Sequence, residues 1–136
     1  MVVAGYSGTP LLKKLGIQPG MKVLLLHPPK NYFDLLEMDI SKQVVGGNVT
    51  PDLIHLFAAS TAGFMTDMKK VTRLCKKNTS MIVWVSWYKK SSGISTDLSE
   101  NVIRDFALQH DLVDIKVCAV SDEWSGLKLV VPVAKR

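Results

Sequence analysis

Short apolar runs that alternate with amphipathic segments constrain the fold of this chain more than any other feature. Three of these runs have the length of strands and little polar alternation: Met21–His27, Asp52–Ala58 and Met81–Trp87. That pattern is typical of strands that are covered on both faces. Apolar residues at helical spacing follow, above all in Thr61–Lys77. The alternation predicts a largely parallel sheet with helices on both faces.

The N-terminal third adds two short helices and one doubtful strand. Leucines at helical spacing predict a helix at Pro10–Leu15, with Ser7 or Thr9 as its capping residue. A second helix is predicted directly after Asn31, which can cap it. Ser41–Val45 is interpreted as a short edge strand that ends at a glycine-rich turn.

The C-terminal third predicts one more helix and a closing hairpin. Thr96 or Asp97 is expected to cap the helix, because Asp97 and Glu100 have the spacing of a capping box. Leu112–Val120 and Leu127–Val133 are predicted strands joined by a six-residue turn. The predicted fold is an α/β three-layer sandwich, with a mostly parallel sheet of about five or six strands and an antiparallel C-terminal hairpin.

Length and composition exclude several classes of protein. The chain has 136 residues, of which 47% are hydrophobic and 21% are charged, so disorder and a coiled coil are disfavoured. No apolar run approaches the roughly 18 residues of a membrane-spanning helix. Residues 1–9 lack the pattern of a secretory signal. We expect a single domain over residues 1–136, no membrane partner and a cytoplasmic location.

The charge balance and the cysteines narrow the set of partners. Seventeen Lys and Arg residues against 12 Asp and Glu residues give a net charge of +5, which favours anionic partners. Part of this excess lies at the C-terminal end of Thr61–Lys77 and is interpreted as a solvated helix surface. No nucleic-acid-binding motif accompanies it, so no nucleic-acid partner is expected. Cys75 and Cys118 lack the spacing of metal ligands, and no metal site is predicted.

The polar segment that follows Met81–Trp87 is the strongest candidate for a binding site. Ligands bind beyond the carboxyl ends of the strands in an open parallel sheet, and this segment should lie there. Two lysines, four hydroxyl side chains and a glycine precede a helix N-terminus, a combination that can hold a small anion. The candidate ligand-binding residues are Lys89, Lys90, Ser91, Ser92, Gly93, Ser95 and Thr96. A solvated loop followed by an ordinary helix cap is the alternative interpretation.

The first strand-to-helix turn, His27-Pro-Pro-Lys-Asn31, argues against a nucleotide cofactor. It contains no glycine to let the backbone approach a phosphate, and its two prolines remove hydrogen-bond donors. No cofactor is therefore predicted. His27 is a weak catalytic candidate, and a partly buried histidine bonded to backbone is the more frequent situation. His55 and His110 are not interpreted as catalytic.

Several motifs together resemble a known family. The motifs are Tyr6-Ser-Gly-Thr-Pro-Leu11, Lys13-Lys-Leu-Gly-Ile17, Trp84-Val-Ser-Trp87, Lys89-Lys-Ser-Ser-Gly93 and Trp124-Ser-Gly-Leu-Lys-Leu129. Over nearly the whole chain they are similar to a family of small bacterial proteins classed only as a domain of unknown function. This resemblance implies a bacterial source and no particular activity, cofactor or partner.

The order of the predicted elements also resembles, more distantly, a degenerate methyltransferase-like Rossmann fold. Lys22–His27 resembles the first strand of that fold, and the closing hairpin resembles its antiparallel tail. The chain departs from that fold where the methyl donor would bind. It lacks the glycine turn, and no acidic residue ends a clear second strand to hold a ribose.

Three functions remain open from the sequence. The first is a non-catalytic domain that binds a small anionic ligand or a protein partner at the Lys89–Thr96 loop. The second is a small enzyme that acts on an anionic substrate with His27 and Lys89 or Lys90, which requires these side chains to share a pocket. The third is a structural protein that self-associates through an apolar edge strand or the hairpin.

Overall fold

The computed structural model describes residues 10–136, and one five-stranded sheet organises them. Its strands are β1 (Val23–Leu26), β2 (Leu53–Phe57), β3 (Ile82–Tyr88), β4 (Val113–Ala119) and β5 (Trp124–Val130). The sheet order is β1-β2-β3-β5-β4. The first three strands are parallel, and β5 is antiparallel to both β3 and β4. The predicted mixed α/β class with a parallel start to the sheet is confirmed.

Four α-helices precede or connect these strands in the described chain. They are α1 (Leu11–Leu15), α2 (Tyr32–Leu36), α3 (Thr61–Lys77) and α4 (Glu100–Gln109). The bounds of α3 are those predicted, because its apolar periodicity is long and uninterrupted. Short 3₁₀ turns occur at Lys90–Ser92 and Val133–Lys135. The predicted caps Ser7 and Thr9 of the first helix lie outside the described residues.

The predicted cap of α4 is wrong. Ser99 is the capping residue, and its hydroxyl accepts a hydrogen bond from the Val102 amide at 3.4 Å. Asp97 instead accepts the Thr61 amide at the start of α3, at 2.8 Å. Leu98, between Asp97 and the observed cap Ser99, is buried. The need to bury it keeps the chain extended for two residues longer than the capping-box spacing suggested.

One predicted strand and one predicted strand boundary are also wrong. Ser41–Val45 is not a strand, since only Val44 forms a single isolated bridge, to Val23. The last strand begins at Trp124 rather than at Leu127, within the segment interpreted as a turn. Trp124 packs edge-on to Phe57 with ring centroids 5.0 Å apart, and this burial draws the start of β5 into the sheet. The strand ends before Pro132, which has no amide donor.

The two faces of the sheet pack against different helices. Successive side chains of a strand point to opposite faces, so Val83 and Val85 lie on one face of β3 and Trp84 lies on the other. The first face shares a core with buried residues of α3 and α4, among them Phe64. Trp84 belongs to a second core formed with α1 and α2. Because β1, β2 and β3 are parallel, their carboxyl ends lie at the same edge of the sheet.

The backbone of Gly126 on β5 lies close to the Trp84 ring and to Val120. A Cβ atom at this position would lie 3.1 Å from a methyl group of Val120 and 3.3 Å from the Trp84 ring. We expect Gly126→Ala to lower the free energy of unfolding by about 1–3 kcal/mol, because both neighbours are buried and cannot move away without strain. Urea unfolding measures this loss. Gly46→Ala is the control, since a Cβ there meets nothing within 4 Å; equal stability of the two variants would contradict the prediction.

Candidate functional site

An open groove of about 960 Å³ lies beyond the carboxyl end of β3. We call it the loop groove, and its wall is formed by the β3–α4 connection, the first turn of α4 and Ser125 of β5. Six of the seven predicted ligand-binding residues line it: Lys89, Lys90, Ser91, Gly93, Ser95 and Thr96. The structure therefore brings the predicted residues together around one concave surface.

Ser92 has a different role. Its hydroxyl donates to the Lys89 carbonyl at 2.6 Å and accepts the Ile94 amide at 3.1 Å, so it shapes the loop from within. The 3₁₀ turn that contains it ends at Gly93, whose φ of 75° is in the left-handed region. A side chain with a β-carbon would be strained in that conformation, and glycine is the residue that avoids this cost.

The loop is fixed to the neighbouring connection between β2 and α3. The Thr96 hydroxyl donates to the Ala59 carbonyl at 2.8 Å. Asp97 accepts the Thr61 amide through its carboxylate and the Thr61 hydroxyl through its carbonyl, at 2.8 and 3.1 Å. These bonds hold the groove wall against the sheet edge. They also place a carboxylate of the protein itself at the N-terminus of α3.

The acidic residues of the groove wall are already engaged, whereas its lysines are not. Asp97 accepts the bonds just described, and Glu100 pairs with Arg104 at 2.6 Å. Arg104 also contacts Asp114 at 3.0 Å, and the hydrogen bonds that its guanidinium donates to Asp114 and Glu100 raise the pKa of Arg104. Among residues 10–136, Lys89 and Lys90 form no ion pair, and residues 1–9 contain no Asp or Glu. The groove wall thus carries two lysines whose charge no carboxylate compensates within the described residues.

His27 lies apart from this groove and does not line it. Its side chain is 68% exposed and pairs with Asp67 of α3 at 3.1 Å. The expectation of a partly buried histidine bonded to backbone is therefore wrong. His27 follows β1, two strands away from the end of β3, which separates it from Lys89 and Lys90. The loop groove is therefore not the shared pocket that the enzyme hypothesis requires.

A buried polar network, which the sequence did not predict, joins α2 to the neighbouring strands β2 and β3. The Nδ1 atom of His55 lies 2.8 Å from the Tyr32 hydroxyl, and its Nε2 atom lies 2.7 Å from the Ser86 hydroxyl. His55 and Ser86 are both fully buried, and Phe57 stacks on the imidazole at 4.2 Å. Every polar atom of the three side chains that is sealed from solvent has a partner.

Burial decides the chemistry of this network. Loss of solvation lowers the pKa of His55 to about 3 and raises the pKa of Tyr32, so both stay neutral at physiological pH. A fully buried serine beside a neutral imidazole has no route to a substrate, and the network serves the fold. One signal was present in the sequence: His55 and Ser86 interrupt apolar strands, and buried polar groups must pair. Tyr32, 23 residues before His55, gave none.

Cys75 and Cys118 are free thiols, and burial raises the pKa of both, that of Cys75 to about 11. Within residues 10–136, no group of three or more metal-ligating side chains converges. No helix there is both long and apolar enough to span a membrane.

Comparison with known proteins supports the fold and nothing finer. No family model matches the chain, and no curated protein is significantly similar to it. A protein of the NADB-Rossmann superfamily from Streptococcus agalactiae shares its fold, with a TM-score of 0.50 and 6% identity over 90% of this chain and 68% of that chain. This similarity confirms the coarse prediction of a Rossmann-like fold.

Proposed function

We propose that this Rossmann-like domain, a three-layer α/β sandwich, binds a small anionic ligand in the loop groove. The observation that carries the proposal is the convergence of Lys89 and Lys90, both without an ion-pair partner among residues 10–136, on a concave wall of hydroxyl groups. The groove also lies where parallel α/β sheets bind ligands, beyond the carboxyl ends of the strands.

The surroundings of the lysines define the chemical class of the ligand. Hydroxyl groups of Ser91 and Ser95 can donate hydrogen bonds to anionic oxygens, and the exposed side chain of Ile94 adds an apolar surface. A small organic acid or phosphate ester matches this mixture of charge, hydroxyls and apolar contact. The prolines after β1 disfavour a dinucleotide, because they remove the amide donors that would hold its phosphates.

The structure of the edge strand β4 argues against the alternative function, self-association. The edge strand β4 does expose Ile115 and Val117, which are 55% and 50% accessible. Lys116 lies between them, and the register shifts at a bulge between Asp114 and Lys116. Charge and bulges are the devices that keep edge strands from pairing.

The free thiols agree with the cytoplasmic location that we propose on the basis of the sequence.

A titration with inorganic phosphate tests the proposal. We expect the backbone amide resonances of the loop groove to shift, and the double variant Lys89→Ala/Lys90→Ala to bind at least tenfold more weakly, because each charged contact contributes about 1.5–3 kcal/mol. Lys69→Ala/Lys76→Ala is the matched control, since it removes the same charge from the exposed surface of α3.

The control sets the outcome that would refute the site. If phosphate shifts the amide resonances of the loop groove in the Lys89/Lys90 variant at the same concentrations as in the unmodified protein, these lysines do not form an anion site. If both double variants weaken binding equally, the effect reflects net charge and not the groove. Circular dichroism spectra of the variants should match that of the unmodified protein, because all four lysines lie at the surface.

A further inference from the structure

A second basic cluster lies on α3, none of whose residues lines the loop groove. A cleft of about 180 Å³ separates α3 from the glycine turn before β2, and we call it the α3 cleft. Its lining residues are Gly47, Lys70, Arg73, Leu74 and Lys77. Three of the five are cations and none is acidic. Leu74 is buried and forms the apolar base of the cleft.

Helical geometry directs the three cations to the same cleft. Lys70, Arg73 and Lys77 are three, four and seven residues apart, a spacing that places them along one stripe of a helix. The stripe extends for about 10 Å at 1.5 Å per residue, within reach of long, flexible side chains. Across the cleft, the Lys70 ammonium lies directly against Gly47, in the place that a Cβ atom would occupy. Glycine at this position is what admits the ammonium group.

No carboxylate neutralises these three cations. None of them forms an ion pair within residues 10–136, and residues 1–9 hold no acidic side chain. Asp67, one helical turn before Lys70, pairs with His27 instead. Like charges at this spacing destabilise a helix. The helix dipole offsets this cost for Lys77 in the last turn, but its effect does not extend back to Lys70.

We propose that the α3 cleft binds a phosphate group of a small ligand. A phosphate dianion would relieve the mutual repulsion of the three cations, and its several acceptor oxygens match one guanidinium and two ammonium groups. The proposal does not depend on the function proposed for the loop groove, because the two sites share no lining residue.

Inorganic pyrophosphate is the probe, and a short single-stranded oligonucleotide is the comparison. In spectra of the ¹⁵N-labelled full chain, we expect pyrophosphate to shift the amide resonances of Gly47 and of Lys70–Lys77. Lys70→Met/Lys77→Met should weaken this binding at least tenfold. Lys69→Met/Lys76→Met removes equal charge from the same helix outside the cleft and should change the affinity less than twofold.

Gly47→Ala tests the cleft without changing charge. Its φ is not in the left-handed region, and only the mobile end of Lys70 would contact the new methyl group, so folding should be preserved. We expect severalfold weaker pyrophosphate binding, because the ammonium must leave its place in the cleft. This variant keeps the proposal testable if the double variant is too unstable for titration.

Three results would overturn the proposal. One is an equal loss of affinity in the two double variants, which would indicate a general charge effect. Another is a set of pyrophosphate shifts confined to residues 89–101, which would support the loop groove alone. The third is an oligonucleotide that binds more tightly than pyrophosphate and depends equally on Lys69, Lys76 and the cleft residues, which would make the whole helix surface a polymer-binding face.

Discussion

Replacement of Trp84 by alanine is expected to lower the free energy of unfolding by about 3–5 kcal/mol, the range for a large aromatic residue removed from a core. Trp84 is fully buried in the central strand β3, and it belongs to the core that joins the sheet to α1 and α2. Its indole Nε1–H donates to the Leu15 carbonyl at 2.9 Å and so ties the end of α1 to the sheet. Urea unfolding followed by far-ultraviolet circular dichroism measures the loss.

A second variant separates packing from hydrogen bonding at this position. Trp84→Phe keeps most of the ring but leaves the Leu15 carbonyl without its donor, and a loss of about 1–3 kcal/mol is expected from an unpaired buried acceptor. The two variants should therefore differ clearly in midpoint. Stability of Trp84→Ala within about 1 kcal/mol of the unmodified protein would mean that the second core tolerates a large cavity, contrary to the packing described.

Acidification from pH 6.5 to pH 4 is expected to lower the free energy of unfolding by about 3 kcal/mol through His55 alone, at ~1.4 kcal/mol per pH unit. Burial lowers the pKa of His55 to about 3 in the folded protein, whereas the unfolded chain has the ordinary value near 6.5. Below pH 6.5 the unfolded chain binds a proton at His55 that the folded protein does not bind. Lowering the pH therefore favours the unfolded state. The loss continues until the pH reaches the folded pKa.

His55→Phe removes this dependence and serves as the comparison. The variant should be less stable at pH 7, because the hydroxyl groups of Tyr32 and Ser86 lose their partner, at about 1–3 kcal/mol each. Its urea midpoint should then change much less between pH 6.5 and pH 4. Parallel pH dependence in the two proteins would show that His55 is not the titrating group.

The chosen pH range keeps another perturbed group out of the measurement. A backbone hydrogen bond from Ser41 lowers the pKa of Asp39, so its contribution to stability is present above the unfolded value and is lost only at more acidic pH. That loss begins below about pH 4. The slope between pH 6.5 and pH 4 therefore reports His55 and not Asp39.

Local patterns were sufficient where one periodic signal was long. The seventeen residues of α3 carry an unbroken apolar stripe, and both of its ends were predicted correctly. Strands β2 and β3 are apolar runs buried on both faces, and such runs are recognisable without knowledge of their neighbours. Short segments such as Ser41–Val45 were not predictable, because their pairing depends on what lies beside them.

Contacts between distant segments explain the remaining errors. Asp97 has the local signature of a cap for α4, yet Thr61, 36 residues earlier, takes its carboxylate. Trp124 was interpreted as part of a turn, yet it stacks on Tyr88 with ring centroids 4.1 Å apart and becomes part of β5. In both cases a tertiary partner competed with the local preference and was favoured, because it also buried or paired a neighbouring group.

For the candidate sites, the sequence by itself determined that Lys89, Lys90 and their hydroxyl neighbours lie in one loop, since residues that are adjacent in the chain stay adjacent in the fold. Only the tertiary structure decided that His27 lies away from them, and that His55 meets Tyr32 and Ser86 in a sealed network. The physical reason is the same in each case. Strand order, burial and ion pairing are set by the whole core, and no single segment of the chain carries that information.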